Sequence, residues 1–550
     1  MRKNTFNIFS FDTTIRNPQR NIDFLQIIDK IDGKVLNEKS LLIYWYEAIG
    51  KGIYRPQNIN AEIRNKLLKG ESLSESEIKR IMQDNPQKVQ NGFEGRAITH
   101  FKALHSQLLL IYDSQSKVVR ISKLGRELLN HPYDVQNIYT KILLGIHFGS
   151  PIRKENNRAR VFLNTIFVID LLKREWGKLE KESKGILRHE CVFVLGIKDC
   201  DYTKCVSEIL TYREMYGLKE NREYIENYCV SNDLKHLKYD TIKTYVDEVF
   251  RKFAMSGLII ARHNYYDFSS FESKKIEAIL QHYKDYTFME FSDIYEYIDF
   301  AYNITLPWIE NNEVRKQIAT QKAKELHISL QDLDFNDLTL LENKLNQTFY
   351  QQALKSKIEV SQIDTLLNEL RILASGAQEK SSLDNIPEPL RLEYLLALIL
   401  GKKYGSKNLE SNLIYNENGE PLSYAPAGKA DLLYENFSFE ATMIKNRNQQ
   451  LNSETTSVAR HFYESKKQNT LEQRAMLIAP YIHWDVALFF KFCAKEFDSK
   501  LAPISISSFI TLIEKSATFS EFSTNFDRLF VDKLLRDKTD AYVDSVNFVR

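Results

Sequence analysis

The chain has 550 residues, with 75 Lys and Arg against 73 Asp and Glu, a formal net charge of +2. That length exceeds one hydrophobic core and predicts three or four domains, while the charge balance excludes a uniformly basic surface and leaves only local patches for nucleic acid. Five cysteines, Cys191, Cys200, Cys205, Cys229 and Cys493, odd in number and without a C-x-x-C spacing, indicate neither a disulfide framework nor a zinc site. The N-terminus lacks a signal-like apolar run, and no later stretch approaches ~20 apolar residues, so a cytoplasmic protein without a membrane segment is expected.

Residues 1 to about 145 predict mixed short helices ending in KVVRISKLGRELLNHP. Within it Lys117 to Ile121 alternates as a strand, and Ser122 to Arg126 starts a helix, as in the wing of a winged helix. Arg120, Lys123 and Arg126 there suit phosphate contacts, which position a protein on DNA without specifying sequence. A second such unit runs from Arg251 to Ser269, RKFAMSGLIIARHNYYDFS: a helix end, Gly257 as its stop, a strand, a turn and a returning strand. A plain hairpin packed on a helix is the alternative for each. From about Leu306 to Leu373 apolar residues recur at three- and four-residue intervals, predicting a helical connector. The Gly-, Ser- and Pro-rich ASGAQEKSSLDNIPEP places a boundary near Ser375 to Pro389. Beyond it, PLRLEYLLALILGKKYG predicts a helix carrying Glu393, SETTSVARHFYESKKQ a second helix and RAMLIAPYI a buried strand, together an α/β core.

Between those helices lies KADLLYENFSFEATMIK. If Tyr434 to Phe437 forms a two-residue hairpin turn, Leu432 faces Phe439 and Asp431 faces Glu440. Leu432, Tyr434, Phe437, Phe439 and Ala441 then share one face, while Asp431, Leu433, Ser438, Glu440 and Thr442 share the other. Directly opposed residues have Cβ atoms roughly 5 Å apart, and like charges there destabilise the pair. Two readings are open: a solvated hairpin that tolerates both acids, or a divalent cation between them. Seven residues separate Glu454 and His461, two turns along one helical face. With Glu393 these residues make a candidate cluster for metal-dependent hydrolysis. Asp431, Glu440 and the Ala441 carbonyl would hold Mg²⁺, Glu393 would complete its shell, Glu454 would orient water and His461 would act as base or phosphate contact.

Three segments carry a family resemblance: FSFDTTIRNPQR (Phe9 to Arg20), AGKADLLYENFSFEAT (Ala427 to Thr442) and ETTSVARHFYESKK (Glu454 to Lys467). They resemble motifs of the AlwI-type family of type IIS restriction and nicking endonucleases, whose nuclease core belongs to the Asp…(Asp/Glu)-x-Lys superfamily. Thr442 stands where the general signature has Lys. The family is similar in lacking that Lys, and the resemblance implies that Glu454 and His461 compensate, with Lys445 a weaker substitute. It also implies double-stranded DNA as partner, a short asymmetric site of the G-G-A-T-C or G-A-G-T-C kind, and a cognate methyltransferase encoded nearby. Base reading needs Arg, Lys, Asn or Gln aimed at major-groove edges, and Arg16, Asn17 and Arg20 are the candidates. Their alternative is a turn opened by Asn17-Pro18 with both arginines paired to local acids.

The expected protein is therefore a multidomain α+β chain: a winged-helix-like DNA-recognition half (residues 1–145 and 146–300), a helical linker (301–380) and a C-terminal α/β restriction-endonuclease-like domain (381–550). It would be a monomer in solution, with a transient dimer or a second nuclease subunit on DNA for double-strand cleavage. A DNA-binding regulator with a non-catalytic α/β module is the competing expectation.

Overall fold

The computed structural model describes residues 7–548 except 13, 51, 52, 55, 57, 61, 64, 65, 67–72, 155–157, 178–184, 236, 263, 310, 376–380, 385, 425–429, 456, 457, 460, 461 and 464–473, and of 452–454 the backbone alone. Helices predominate and small sheets interrupt them, an α+β architecture. The chain divides into two compact units, Met1–Leu41 with Gln87–Asn346, and Leu42–Pro86 with Gln347–Arg550. No described helix is long and apolar enough to cross a membrane.

In the first unit, strands β1 (Leu110–Tyr112) and β2 (Val119–Ile121) form an antiparallel hairpin between the helices Gly92–His105 and Lys123–Asn130. Ser122 caps the second helix by accepting the Gly125 N–H at 3.0 Å. The second quoted segment folds alike. The helix Tyr239–Ala254 ends at Gly257, whose φ of +72° is the left-handed conformation that glycine adopts without strain. Strands β4 (Ile259–Ala261) and β5 (Tyr265–Phe268) follow, joined by β3 (Ile186–Leu187) in a sheet of order β3-β5-β4.

The periodicity after Leu306 resolves into the helices Asn312–Glu325, Leu338–Val360 and Ile363–Ser375. The last of these buries Leu366, Leu367, Leu370 and Leu373 and packs on the helices Glu388–Tyr404 and Ile506–Lys515. By contact, then, the stretch read as a connector continues as part of the second unit from Gln347 onward.

That unit is built on a five-stranded sheet. Strands β6 (Leu409–Ser411), β9 (Leu432–Tyr434), β10 (Phe437–Ala441), β11 (Arg474–Ala479) and β12 (Lys500–Ser505) stand in the order β12-β11-β10-β9-β6; a separate hairpin, β7 (Ile414–Tyr415) and β8 (Pro421–Ser423), lies outside it. Pairing is antiparallel from β6 to β10 and parallel from β10 to β12. Every residue of β11 is buried, which explains its unbroken apolar run: a parallel strand between two others is covered on both faces. The helix Glu388–Tyr404 is buried from Leu390 through Gly401 and packs on β6, β9 and β10.

At the amino-terminal ends of β11 and β12, the Asp527 carboxylate accepts from Arg474 at 2.9 and 2.8 Å and from Lys500 at 2.7 Å. Burial pushes the Asp527 pKa up, but the bonds from Arg474 and Lys500 outweigh it and hold the carboxyl below its ordinary value. A depressed pKa contributes stability that is present above the unfolded-state value and lost as pH falls through the folded-state one. Asp527→Asn should destabilise this unit by about 2–4 kcal/mol at pH 7, since two partly buried cations lose their counter-charge. Urea unfolding should show the gap between variant and parent closing as pH drops below the usual carboxylate range; a gap independent of pH would contradict the assignment.

Candidate active site and DNA-facing residues

Glu435 and Asn436 form the two-residue turn between β9 and β10, with Glu435 in the left-handed region at φ +50°. The Asn408 amide holds the Glu435 side chain at 3.1 Å, and the Glu435 N–H donates to the Asn408 carbonyl at 3.2 Å. The register pairs Phe437 with Tyr434, Ser438 with Leu433 and Phe439 with Leu432, the pairing expected from the sequence. The paired residues end at Leu432 and Phe439; Asp431 lies in a bend just before β9 and meets the end of β10 through the Ala441 N–H. The alternation holds as far as Glu440, with Leu432, Tyr434, Phe437 and Phe439 buried and Leu433, Ser438 and Glu440 half-buried, and reverses at the strand end, where Ala441 is half-buried and Thr442 is buried.

Asp431 lies just beyond the end of β9, and its place is set by three bonds. Its carbonyl accepts the Asn412 N–H at 3.1 Å, which prolongs the β6–β9 ladder; Asn412 also holds the Ala430 carbonyl at 2.7 Å. Its carboxylate Oδ2 accepts the Ala441 N–H at 2.7 Å. Along a strand the N–H and C=O of one residue leave by the same edge, so the Ala441 carbonyl is directed to the Asp431 side too. Two carboxylates and a main-chain carbonyl are hard oxygen donors. A small divalent cation held by one or two carboxylates, with water and substrate phosphate completing its shell, fits that set.

After β10 the backbone is tied down closely. The Thr442 N–H donates to the Ile478 carbonyl at 2.9 Å, and the side chain is buried, accepting the Ile444 N–H at 3.2 Å. Thr442 thus has a turn-forming role and no charge to offer a reaction. His483 Nε2 lies 2.8 Å from the Lys445 carbonyl, and the buried Gln450 amide donates to the carbonyls of Ile444 at 3.1 Å and Tyr481 at 3.0 Å.

The other candidates are placed unequally. Glu393 is buried in its helix and acts electrostatically on Tyr415, whose phenol is pushed up first by burial and further by Glu393. The Tyr415 hydroxyl lies 2.7 Å from Ser411 Oγ, at the end of β6 next to Asn412. Among the described residues no three His, Cys, Asp or Glu side chains lie close enough to share one ion. Glu393 is therefore not grouped with Asp431 and Glu440 in one shell. Glu454 belongs to a π-helix, Gln450–Thr455, where an α-helix is expected. Wider turns change the rotation per residue, so the seven-residue spacing to His461 does not define a common face there. His461 lies outside the described residues.

The basic candidates of the first unit also differ. Arg16 is exposed, between buried Ile15 and half-buried Asn17. Asn17 Oδ1 accepts from Arg251 at 3.3 Å, and the Arg20 guanidinium sits 5.8 Å from the Phe24 ring centre. Arg120 is exposed on the outer face of β2. Lys123 pairs with Asp299 at 2.8 Å and lies over the Tyr302 ring, while the Arg126 fork is engaged by Asp29 and Asp32. Arg251 was not singled out from sequence. Its spacing from Asp247 shows the helix-surface pair they form at 2.8 Å, but nothing local points to Asn17.

The sequence profile of the AlwI restriction endonuclease family matches residues 106–512. The chain belongs to the AlwI restriction endonuclease family. It is accordingly a type II site-specific deoxyribonuclease, a DNA-binding hydrolase of a class that generally depends on a divalent cation. No curated protein sequence matches the chain. Among solved structures it is similar to the small subunit of the heterodimeric restriction endonuclease R.BspD6I, with 20% identity over 32% of this chain and 96% of that one and a TM-score of 0.27. It is similar to the restriction endonuclease FokI, with 11% identity over 94% and 99% of the two chains and a TM-score of 0.23. Against FokI bound to DNA the identity is 10% over 96% and 99%, with a TM-score of 0.22.

For a DNA-binding enzyme of this family, the two arginines of the β1–β2 region make a direct test. Arg120→Ala should reduce the slope of log Kd against log salt by about 1, as expected for losing one phosphate contact. Arg126→Ala should leave that slope unchanged and lower thermal stability instead, since its fork is occupied by Asp29 and Asp32. Equal slope changes for both would show that the intramolecular pairing does not persist on DNA.

Proposed function

We propose that this endonuclease reads a short asymmetric duplex site with its N-terminal half and, as a type IIS enzyme, hydrolyses a phosphodiester at an offset with the Asp431–Glu440 hairpin in the presence of Mg²⁺. The observation that carries the reading is the hydrogen bond that ties the Asp431 carboxylate to the Ala441 N–H, the residue after Glu440 on β10. In this assignment residues 1–145 and 146–300 are winged-helix-like recognition modules, 301–380 the linker and 381–550 the nuclease.

The roles follow from the chemistry of each group. Asp431, Glu440 and the Ala441 carbonyl would hold Mg²⁺, which when bound supplies positive charge to the scissile phosphate and acidity to water. Asp431 is oriented by the Ala441 N–H, and a cation between two neighbouring carboxylates would offset their mutual repulsion. Thr442 cannot carry charge to the attacking water, and the family resemblance assigns that orienting work to Glu454 and His461. Arg16, Asn17 and Arg20 are assigned to base edges and Arg120 to the backbone, which Lys123 and Arg126 would reach only by giving up their carboxylate partners. A methyltransferase of the same specificity would protect the host's own sites.

Asp431→Ala and Glu440→Ala should each abolish cleavage of a site-bearing plasmid and leave site-specific duplex binding nearly intact. Chelation with EDTA should reproduce that split in the parent enzyme. Loss of binding parallel to loss of cleavage would sink the separation of reading from cutting.

One chain carries one such hairpin, and a single centre serves one in-line attack at a time. The isolated chain should therefore be a monomer that produces nicked circles first. Linear product should rise with protein concentration where self-association supplies the second centre, and stay absent where a different subunit supplies it. Linearisation in dilute enzyme without a nicked intermediate would contradict the one-centre reading.

A further inference from the structure

The N-terminal segment Phe9 to Asn17 has no helix or strand of its own among its described residues, so its backbone polar groups need partners from elsewhere. Several come from far along the chain. The Phe9 N–H donates to the Leu195 carbonyl at 2.8 Å, and Arg153 Nη1 to the Ser10 carbonyl at 2.8 Å. The Phe11 N–H donates to Glu248 Oε2 at 3.1 Å, and Lys252 Nζ to the Ile15 carbonyl at 3.4 Å. Glu248 and Lys252 stand one turn apart on the helix Tyr239–Ala254, paired with each other, their side chains 0% and 1% exposed. Lys252 and Arg153 also flank the Phe11 ring, at 5.1 and 5.5 Å from its centre.

We infer that the buried Glu248–Lys252 pair is a positioning device for site recognition: it locks this strap to the helix so that Arg16 meets DNA in one orientation. The inference rests on the proposed reading of Arg16 as a base contact. A buried ion pair is often no more stabilising than an apolar pair of similar volume, whereas specificity of docking is a role such pairs can serve. Here both charges spend hydrogen bonds on strap backbone instead of only on each other. Both neighbours of the exposed arginine are held by one turn of helix: Ile15 by Lys252, and Asn17 by the adjacent Arg251 at 3.3 Å. Arg16 is thus carried on a short span whose two ends cannot shift independently, the preorganisation a base contact needs.

The test is the ratio of affinities for a duplex bearing the enzyme's mapped site and for a scrambled duplex, measured on the full chain in EDTA. Glu248→Gln should lower that ratio by about tenfold, within the range of a lost base contact, as Arg16→Ala does, and the double variant should be no worse than Arg16→Ala alone. Arg251→Ala, at a partly exposed position, should lower the ratio in the same direction and serves where the buried variant fails to fold. An unchanged ratio for Arg16→Ala would remove the recognition reading itself. A lowered ratio for Arg16→Ala beside unchanged ratios for folded Glu248→Gln and Arg251→Ala, or losses that multiply in the double variant, would overturn the positioning role alone.

Discussion

The hairpin at Glu435–Asn436 admits one register, and that register lets the Asp431 carboxylate take the Ala441 N–H, next to Glu440 in the chain. A two-residue turn leaves no slack, and a slip by one residue would move Leu432, Tyr434, Phe437 and Phe439 out of the core. Asp431 and Glu440 come to the same end of the hairpin because the apolar face must be buried.

The rest of the second unit supports that placement. Strand β11, buried along its whole length, lies beside β10, and its Ile478 carbonyl takes the Thr442 N–H where β10 ends. On the other side Asn412 prolongs β6 past its last paired residue and holds the backbone at Asp431. Asp527 neutralises Arg474 and Lys500 at the opposite end of the parallel strands.

In the first unit the basic residues sort by whether an acid or amide of the protein lies within reach. Arg126 is taken by Asp29 and Asp32, Lys123 by Asp299, and Arg251 by Asp247 and Asn17, while Arg16 and Arg120 project outward. A surface ion pair in water is worth ~0–1 kcal/mol, so DNA phosphates can compete for such residues. The Glu248–Lys252 pair is of another kind, because groups buried from water cannot exchange partners cheaply.

Local chemistry was legible in the sequence. The alternation of KADLLYENFSFEATMIK determined the hairpin, its register and its acidic face. The apolar run of RAMLIA determined a covered strand, Gly257 a helix stop, and the N-terminal, hairpin and Glu454-to-Lys467 motifs the family. These features depend on neighbours within a few residues, where side-chain period and turn geometry leave few alternatives. Only the tertiary structure decided that the helix Ile363–Ser375 packs into the second unit, that Glu393 lies near enough to Tyr415 to raise its pKa, that Arg251 reaches Asn17, and that Gln450–Thr455 winds as a π-helix. The first three relate distant segments, chosen by which surfaces remain to be covered once local elements have formed, and no local pattern encodes that choice.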